Sequence, residues 1–425
     1  MCTLDMHDWQ FETGRKNFFT EFNLYCDRMY IISAGTTIYF LGFFLFVSPL
    51  SSLVDKLGRK ITTSLFLFLL VGILSFQMLS TSIFQLMIGR FILGSLHGGI
   101  SVSMTVMFFE FSSSSFATFI SMLTGAGFSF GGGLVGLVAM NSSHWQNTMI
   151  PPILAWVILG AVFCYMVPES PYWLFAKGCE MEALASFNKI AYFNGAPPLE
   201  NVKIMSLTET DFSAKKPSVG MLWEVKFLRT SLASLSFVWF TVSLCYYGLE
   251  FNAGSLGNEY VVMMIMGCFD TPFKIYMYVF ANKRGRQIAS QVYLGGALFC
   301  LICTGIPITE SIFIAGNMTL KTLLVACGRA FGGSVFALLY VYTLEILPTL
   351  VRSVGVSFCS TVARVGSLIA PLVILVNEVS PLIIYVTIII CLVLSMRLLR
   401  NIPETLGKPL PSNLQDCRKL FDIKK

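Results

Sequence analysis

Charge is what this chain has least of. Of its 425 residues only 12% are Asp, Glu, Lys or Arg, while 55% are hydrophobic. No soluble domain of that size needs so much apolar surface, and a mean hydropathy of +0.73 points to a bilayer as solvent. Catalytic signatures are missing as well. There is no Walker lysine, no HExxH and no GxSxG, and no strand–turn–helix context in which a glycine-rich loop would hold a phosphate. No enzyme class and no cofactor is implied. The twelve cysteines form no paired framework. Cys300 and Cys303 are spaced CxxC, but they lie in an apolar run without further ligands, so no metal site is expected and the thiols read as small apolar residues. The first 29 residues are polar and hold no apolar core of a secretory leader. The net charge of +6 hints at nucleic acid, yet the basic residues cluster in short segments between apolar runs, which suits a membrane protein and no nucleic-acid partner.

What the chain has is apolar runs of membrane-spanning length. They fall at 30–54, 61–80, 83–108, 116–140, 148–167, 229–249, 259–281, 288–308, 320–343, 353–377 and 381–399. A spanning helix needs about 20 such residues, so eleven spans are expected. The polar stretch 168–228 divides five spans from six and contains the amphipathic segment EMEALASFNKIAYF (180–193), expected to lie on the membrane surface. The expected organisation is a leading loop remnant (1–29), a five-span bundle (30–167), a linker (168–228), a six-span bundle (229–400) and a tail (401–425). With the linker placed in the cytoplasm, 21 of the 29 basic residues fall on that side, about four outside and four within spans. That asymmetry sets orientation. The sequons at Asn141 and Asn317 then both face outward, where glycosylation occurs. The C-terminus is expected inside.

The two halves repeat each other. DKLGRK (55–60) matches NKRGRQ (282–287), GRFILGS (89–95) matches GRAFGGS (328–334), and VPESP (167–171) matches IPETL (402–406), in the same order. Parallel repeats of this kind are a transporter architecture. DKLGRK resembles the signature of the major facilitator superfamily. FNLYC (22–26), PESPYWL (168–174) and YTLEILPTLVRSVG (342–355) resemble the organic ion transporters of its solute carrier family 22. The resemblance runs from about residue 9 to 405. It implies an all-α, polytopic membrane protein with the major facilitator fold and 11 of the usual 12 helices, because the start of the chain looks like the end of the loop after the family's first span.

Charges buried in spans carry the functional reading. An unpaired charge at the bilayer centre costs at least ~2.5–3.5 kcal/mol, so it must meet a partner or a guest. Arg364 has no other charge within a helical turn on either side. Its segment TVARVGSLIAP (361–371) resembles the anion-transporter form of this helix. Lys274, in CFDTPFKIYMYVF (268–280), also resembles the anion branch. Its own helix offers a second reading, a pair with Asp270 four residues earlier. Two buried cations attract a carboxylate and repel an amine. Trp239, Tyr246 and Tyr247 match substrate-lining aromatics by resemblance, and Phe336, Tyr340 and Ser360 complete the expected substrate-binding set. Simple packing is the alternative for each ring. Arg90 and Arg329 read as structural residues partnered near helix ends.

The Gly-Arg turns read as a cytoplasmic gate. Asp55, Arg59 and Glu169 are expected to form ion pairs in the first half, with Glu110. Arg284, Arg286, Glu345, Arg352 and Glu404 are the counterparts in the second. The first-half copy, FFEFSSSSFATF (108–119), keeps Glu110 but lacks the Pro and Arg found at 348 and 352, so its network is expected to be the weaker. Gly125, Gly127, Gly131–Gly133 and Gly136 give one span a smooth face for close helix packing.

The reading is a plasma-membrane carrier of amphiphilic organic anions, working by alternating access and, by resemblance, exchanging against dicarboxylates. Its partners are small organic anions and the lipid bilayer. A carnitine-type zwitterion carrier, which Lys274 disfavours, is one alternative. A short form that does not transport but pairs with another carrier is the other.

Overall fold

The structure, a computed structural model, describes residues 17–24, 28, 30–112, 116–200, 223, 225–251, 256–306, 311, 314, 316–348, 352–377, 381–408, 411 and 417–418. Most of the expected loop remnant and parts of the linker and tail therefore lie outside the described residues. So do Tyr25 and Cys26 of FNLYC.

All eleven apolar runs are helical. They are α1 (Tyr30–Leu57), α2 (Arg59–Met78), α3 (Ile83–Phe111), α4 (Ala117–Asn141), α5 (Ile150–Met166), α8 (Lys226–Phe251), α9 (Glu259–Arg284), α10 (Arg286–Gly305), α11 (Met318–Ile346), α12 (Arg352–Asn377) and α13 (Pro381–Leu399). Two shorter helices, α6 (Pro171–Ala176) and α7 (Glu180–Phe193), occupy the linker. Among the described residues, nine helical segments are long and apolar enough to cross a membrane. α9 is not one of them, because Asp270 and Lys274 in its middle lower its mean hydropathy. In α13 the apolar stretch is the shorter Tyr385–Leu399.

Helix starts follow from local chemistry. Ser82, Asn258 and Asn317 each place a side-chain oxygen on a first-turn N–H, at 3.2, 3.1 and 3.1 Å. Such caps satisfy donors that have no partner within the helix. α5 keeps an apolar outer face, with Leu154, Ile158 and Val162 all exposed. An exposed apolar face of that kind suits lipid or a packed protein neighbour.

The chain clusters into two compact units. One takes Met1–Phe116 and Asn141–Thr208, the other Ala117–Met140 and Glu209–Lys425. The first has a core around Val54, Phe66, Leu70 and Met107. In it, Tyr39 of α1 hydrogen-bonds His97 of α3 at 2.8 Å. The core of the second runs through Leu235, Trp239, Leu338 and Tyr342. By repeat register α4 belongs to the first half, yet its contacts place it in the second unit. Its glycine face explains this. A Cβ at Gly267 of α9 would lie 2.6 Å from the Gly133 backbone, so the two helices touch only because both residues lack a side chain. α7 packs its buried Ala183 and Ser186 inward and leaves Met181 and Tyr192 exposed.

Candidate functional site

The buried charges of the second unit assemble around Asp270. This carboxylate has no solvent exposure. Lys274, one turn on in α9, donates to its Oδ2 at 3.1 Å and to Ser129 Oγ of α4 at 2.7 Å. Ser129 in turn donates to the same oxygen at 2.5 Å. From α11, Arg329 Nη1 reaches Asp270 Oδ2 at 3.1 Å, and from α8 the Tyr246 hydroxyl donates to it at 3.3 Å. Two cations thus share one buried acid, which is how a charge survives without water. Asp270 Oδ1 is buried with no hydrogen-bond partner among the described residues.

Arg329 uses all its donors. Nε contacts Glu250 Oε2 at 2.6 Å, Nη1 also reaches the Met266 carbonyl at 3.2 Å, and Nη2 donates to the Tyr246 hydroxyl and meets Glu250 at 2.5 Å. The guanidinium also lies 4.2 Å from the Tyr246 ring centroid, a cation–π distance. Its side chain is 3% exposed, whereas that of Glu250 is 23% exposed. Glycines make room for this cluster. A Cβ at Gly125 would come 3.1 Å from Lys274 Cε, and one at Gly333 would come 2.8 Å from the Tyr246 ring.

Arg364 is buried on α12. That helix lies close against α8: Ser367 and Ser243 share a hydrogen bond of 2.7 Å, and a Cβ on Gly366 would meet the Phe240 carbonyl at 2.6 Å. Tyr247 of α8 stands edge-on to the Tyr246 ring at 5.2 Å. Ser360 is partly buried one turn before it.

Of the readings left open for Lys274, the pair with its helical neighbour Asp270 is present. Two other sequence expectations change. Arg329 is no peripheral residue, since it sits about three turns into α11 at the centre of the cluster. Trp239 is wholly buried, with its Nε1 on Thr343 Oγ1 at 3.1 Å and its ring edge-on to Tyr340 and Phe336 at 4.5 and 5.2 Å. It packs behind those two partly exposed rings, where direct substrate contact was expected. Sequence reasoning missed Ser129, Glu250 and the role of Arg329. Glu250 was findable, four residues after Tyr246 on the same helical face. Nothing in the sequence marks Ser129.

The Gly-Arg turns repeat as built objects. Gly58 has φ +106° and Gly285 φ +98°, the left-handed region that glycine tolerates. Beyond each, a glutamate from far along the chain closes the next helix. Glu169 accepts from the Arg59 and Lys60 N–H groups at 2.9 and 3.0 Å. Glu404 accepts from those of Arg286 and Gln287 at 2.8 and 3.0 Å. The expected ion pairs of these two glutamates are thus backbone caps, with an anion at the positive end of a helix. Arg286 meets Glu345 at 3.2 and 3.1 Å and Thr118 of α4 at 3.2 Å. The first-half copy is sparser: Arg59 meets Asp55 at 3.0 Å and Glu110 at 3.4 Å, while Arg59 Nε and Glu110 Oε2 are buried without hydrogen-bond partners among the described residues. Arg352 donates to the carbonyls of Leu347 and Pro411, both at 3.3 Å, and Arg284 is exposed. Neither has a described ion pair. Asn141 and Asn317 are both exposed.

The model of the sugar (and other) transporter family matches residues 9–413. Organic anion transporter 3 of Oryctolagus cuniculus is 28% identical over 424 residues, covering 97% of this chain and 76% of that protein. The protein of the same name from Homo sapiens is 27% identical, over 96% of this chain and 75% of its own. An organic cation transporter protein of Drosophila melanogaster is 30% identical over 93% of this chain and 73% of its own. Among solved structures, the proton:xylose symporter XylE bound to 6-bromo-6-deoxy-D-glucose superposes with a TM-score of 0.63 at 16% identity, over 92% of this chain and 88% of that chain. A partially occluded inward-open XylE from E. coli gives 0.61 at 16%, over 90% and 88%. At that identity the likeness shows the fold alone: a polytopic major facilitator fold.

Proposed function

Because the chain belongs to the sugar (and other) transporter family of the major facilitator superfamily, we propose that this transporter carries amphiphilic organic anions across the plasma membrane. Lys274 and Arg364 act as anion anchors, with Tyr246, Tyr247, Phe336, Tyr340 and Ser360 beside them. Substrate moves by alternating access, in exchange for a dicarboxylate. The Gly-Arg turns with Glu345 and Glu404 serve as the cytoplasmic gate, the C-terminus is cytoplasmic, and Asn141 and Asn317 carry glycans. One observation carries the reading: apart from Arg286 at the turn between α9 and α10, three basic side chains, Lys274, Arg329 and Arg364, are buried in the same unit at 7% exposure or less. A buried cation attracts a negative guest, and a guanidinium grips a carboxylate with two hydrogen bonds.

The Drosophila relative raises a cation reading, with Asp270 or Glu250 as the acceptor. Both acids are engaged by buried cations, and those cations by the acids, so uptake decides between the two readings. Uptake of benzenesulfonate, tetraethylammonium and carnitine into liposomes carrying the purified chain separates the readings. Benzenesulfonate alone is expected to accumulate, and Arg364→Asp to abolish it. Unchanged uptake by that variant removes Arg364 from the site. Carnitine uptake instead favours the zwitterion carrier. No flux by well-folded protein favours a non-transporting role.

A further inference from the structure

Arg329 has no donor to spare. All its N–H groups are used, by Glu250, Asp270, Tyr246 and the Met266 carbonyl. Any anion that takes hold of it must replace one of these. Asp270 is wholly buried and tied to Lys274, Ser129 and Tyr246 as well. The Met266 carbonyl belongs to a helix backbone. Glu250 differs. It is 23% exposed, it lies at the end of α8, and its described polar contacts are to Arg329 alone.

Resting on the anion reading above, we propose that Glu250 is a resident carboxylate that occupies the anion-binding face of Arg329, and that an incoming organic anion displaces it with uptake of one proton by Glu250. Two carboxylate-like groups competing for one guanidinium cannot both stay ionised at low cost, so one of them takes a proton. A sulfonate will not, which leaves Glu250. The proton enters from solvent on the Glu250 carboxylate, the Arg329 N–H groups turn from Glu250 to the guest, and no covalent bond changes.

The surroundings leave few rival titrating groups. α8 offers Tyr246 and Tyr247, α9 Asp270 and Lys274, α11 Arg329 and Tyr340, α12 Arg364, and α13 the buried Tyr385. Of the cluster's two acids, Asp270 is wholly buried and Glu250 is 23% exposed, so the Glu250→Gln variant reads whether a pH response of anion binding belongs to Glu250.

The test is equilibrium binding of radiolabelled benzenesulfonate to the purified full chain at pH 5.5, 6.5 and 7.5, a range over which the probe stays ionised. For the wild type, affinity rises as pH falls, by up to about tenfold per unit, the limit for one linked proton. Glu250→Gln cannot compete as an anion. It binds at pH 7.5 about three- to tenfold tighter than wild type, with a flat profile. Wild-type binding that is flat with pH, or a folded Glu250→Gln that keeps the wild-type slope, overturns the proposal. So does loss of binding by a monodisperse Glu250→Gln, which would make Glu250 a support for the site. If that variant does not fold, the wild-type slope alone decides. Absence of benzenesulfonate binding by the wild type at every pH is a different failure, that of the anion reading itself.

Discussion

Lys274 Nζ and Asp270 Oδ2 stand 3.1 Å apart, one turn from each other on α9, at 3% and 0% side-chain exposure. The same oxygen also receives Arg329. Asp270 is therefore the shared counter-charge for two cations, and the cluster's stability passes through it. Removing one partner of a buried pair leaves an uncompensated charge, at a cost of about 3–5 kcal/mol. Asp270→Asn is expected to lower the thermal midpoint of detergent-solubilised protein sharply. Adding Lys274→Met to that variant should recover part of the loss. If the double variant is no more stable than Asp270→Asn, the two residues are not coupled as the distance implies.

Arg364 tests the difference between a fork and a point charge. Arg364→Lys keeps the charge but loses bidentate geometry. The expected result is a half-saturation constant for benzoate raised by about tenfold, or roughly 1.4 kcal/mol, with little change in the unfolding midpoint. Equal transport by the lysine variant would mean that only the field of the residue matters.

Gly285 offers a stability comparison within one chain. Its positive φ disfavours any side chain by about 1–2 kcal/mol, and a Cβ there would run into the Glu404 carboxylate. Gly178 has φ +78° with nothing within 4 Å of an added Cβ. Gly285→Ala should therefore destabilise more than Gly178→Ala in a denaturation series. Equal losses would show that the Glu404 cap yields freely.

Asn317 has two roles that substitutions can separate. Its side chain caps α11 through the Leu320 N–H at 3.1 Å, and it opens the sequon completed by Thr319. Thr319→Ala and Asn317→Gln should both remove one glycan shift on a gel. Only Asn317→Gln should also lose the cap, about 1 kcal/mol. No shift in the wild type would place this loop on the other side of the membrane or beyond the reach of glycosylation.

Close helix packing can be tested at Gly267. An alanine there would put a Cβ 2.6 Å from the Gly133 backbone, whereas at Gly127 it would meet nothing within 4 Å. Gly267→Ala is expected to destabilise the second unit by about 1–3 kcal/mol, with Gly127→Ala close to neutral. Equal midpoints for the two would mean that α4 moves aside without cost.

Hydropathy runs and turn residues determined the helices by themselves, because spanning length, glycine conformation and capping chemistry act within a few residues. Every expected run became a helix, and the repeated Gly-Arg turns became matching caps. The charge partners were another matter. Lys274 and Asp270 were visible as neighbours on one helix. Ser129 lies 141 residues from Asp270, and Arg329 lies 59 from it. Only the packing of α4, α8, α9 and α11 brings those groups within hydrogen-bond distance. Likewise the repeat assigned α4 to the first half, while its glycine face carried it into the second unit. The tertiary structure decided which charges compensate one another, since in a low-dielectric interior the stability of each depends on the neighbours it meets rather than on its own sequence.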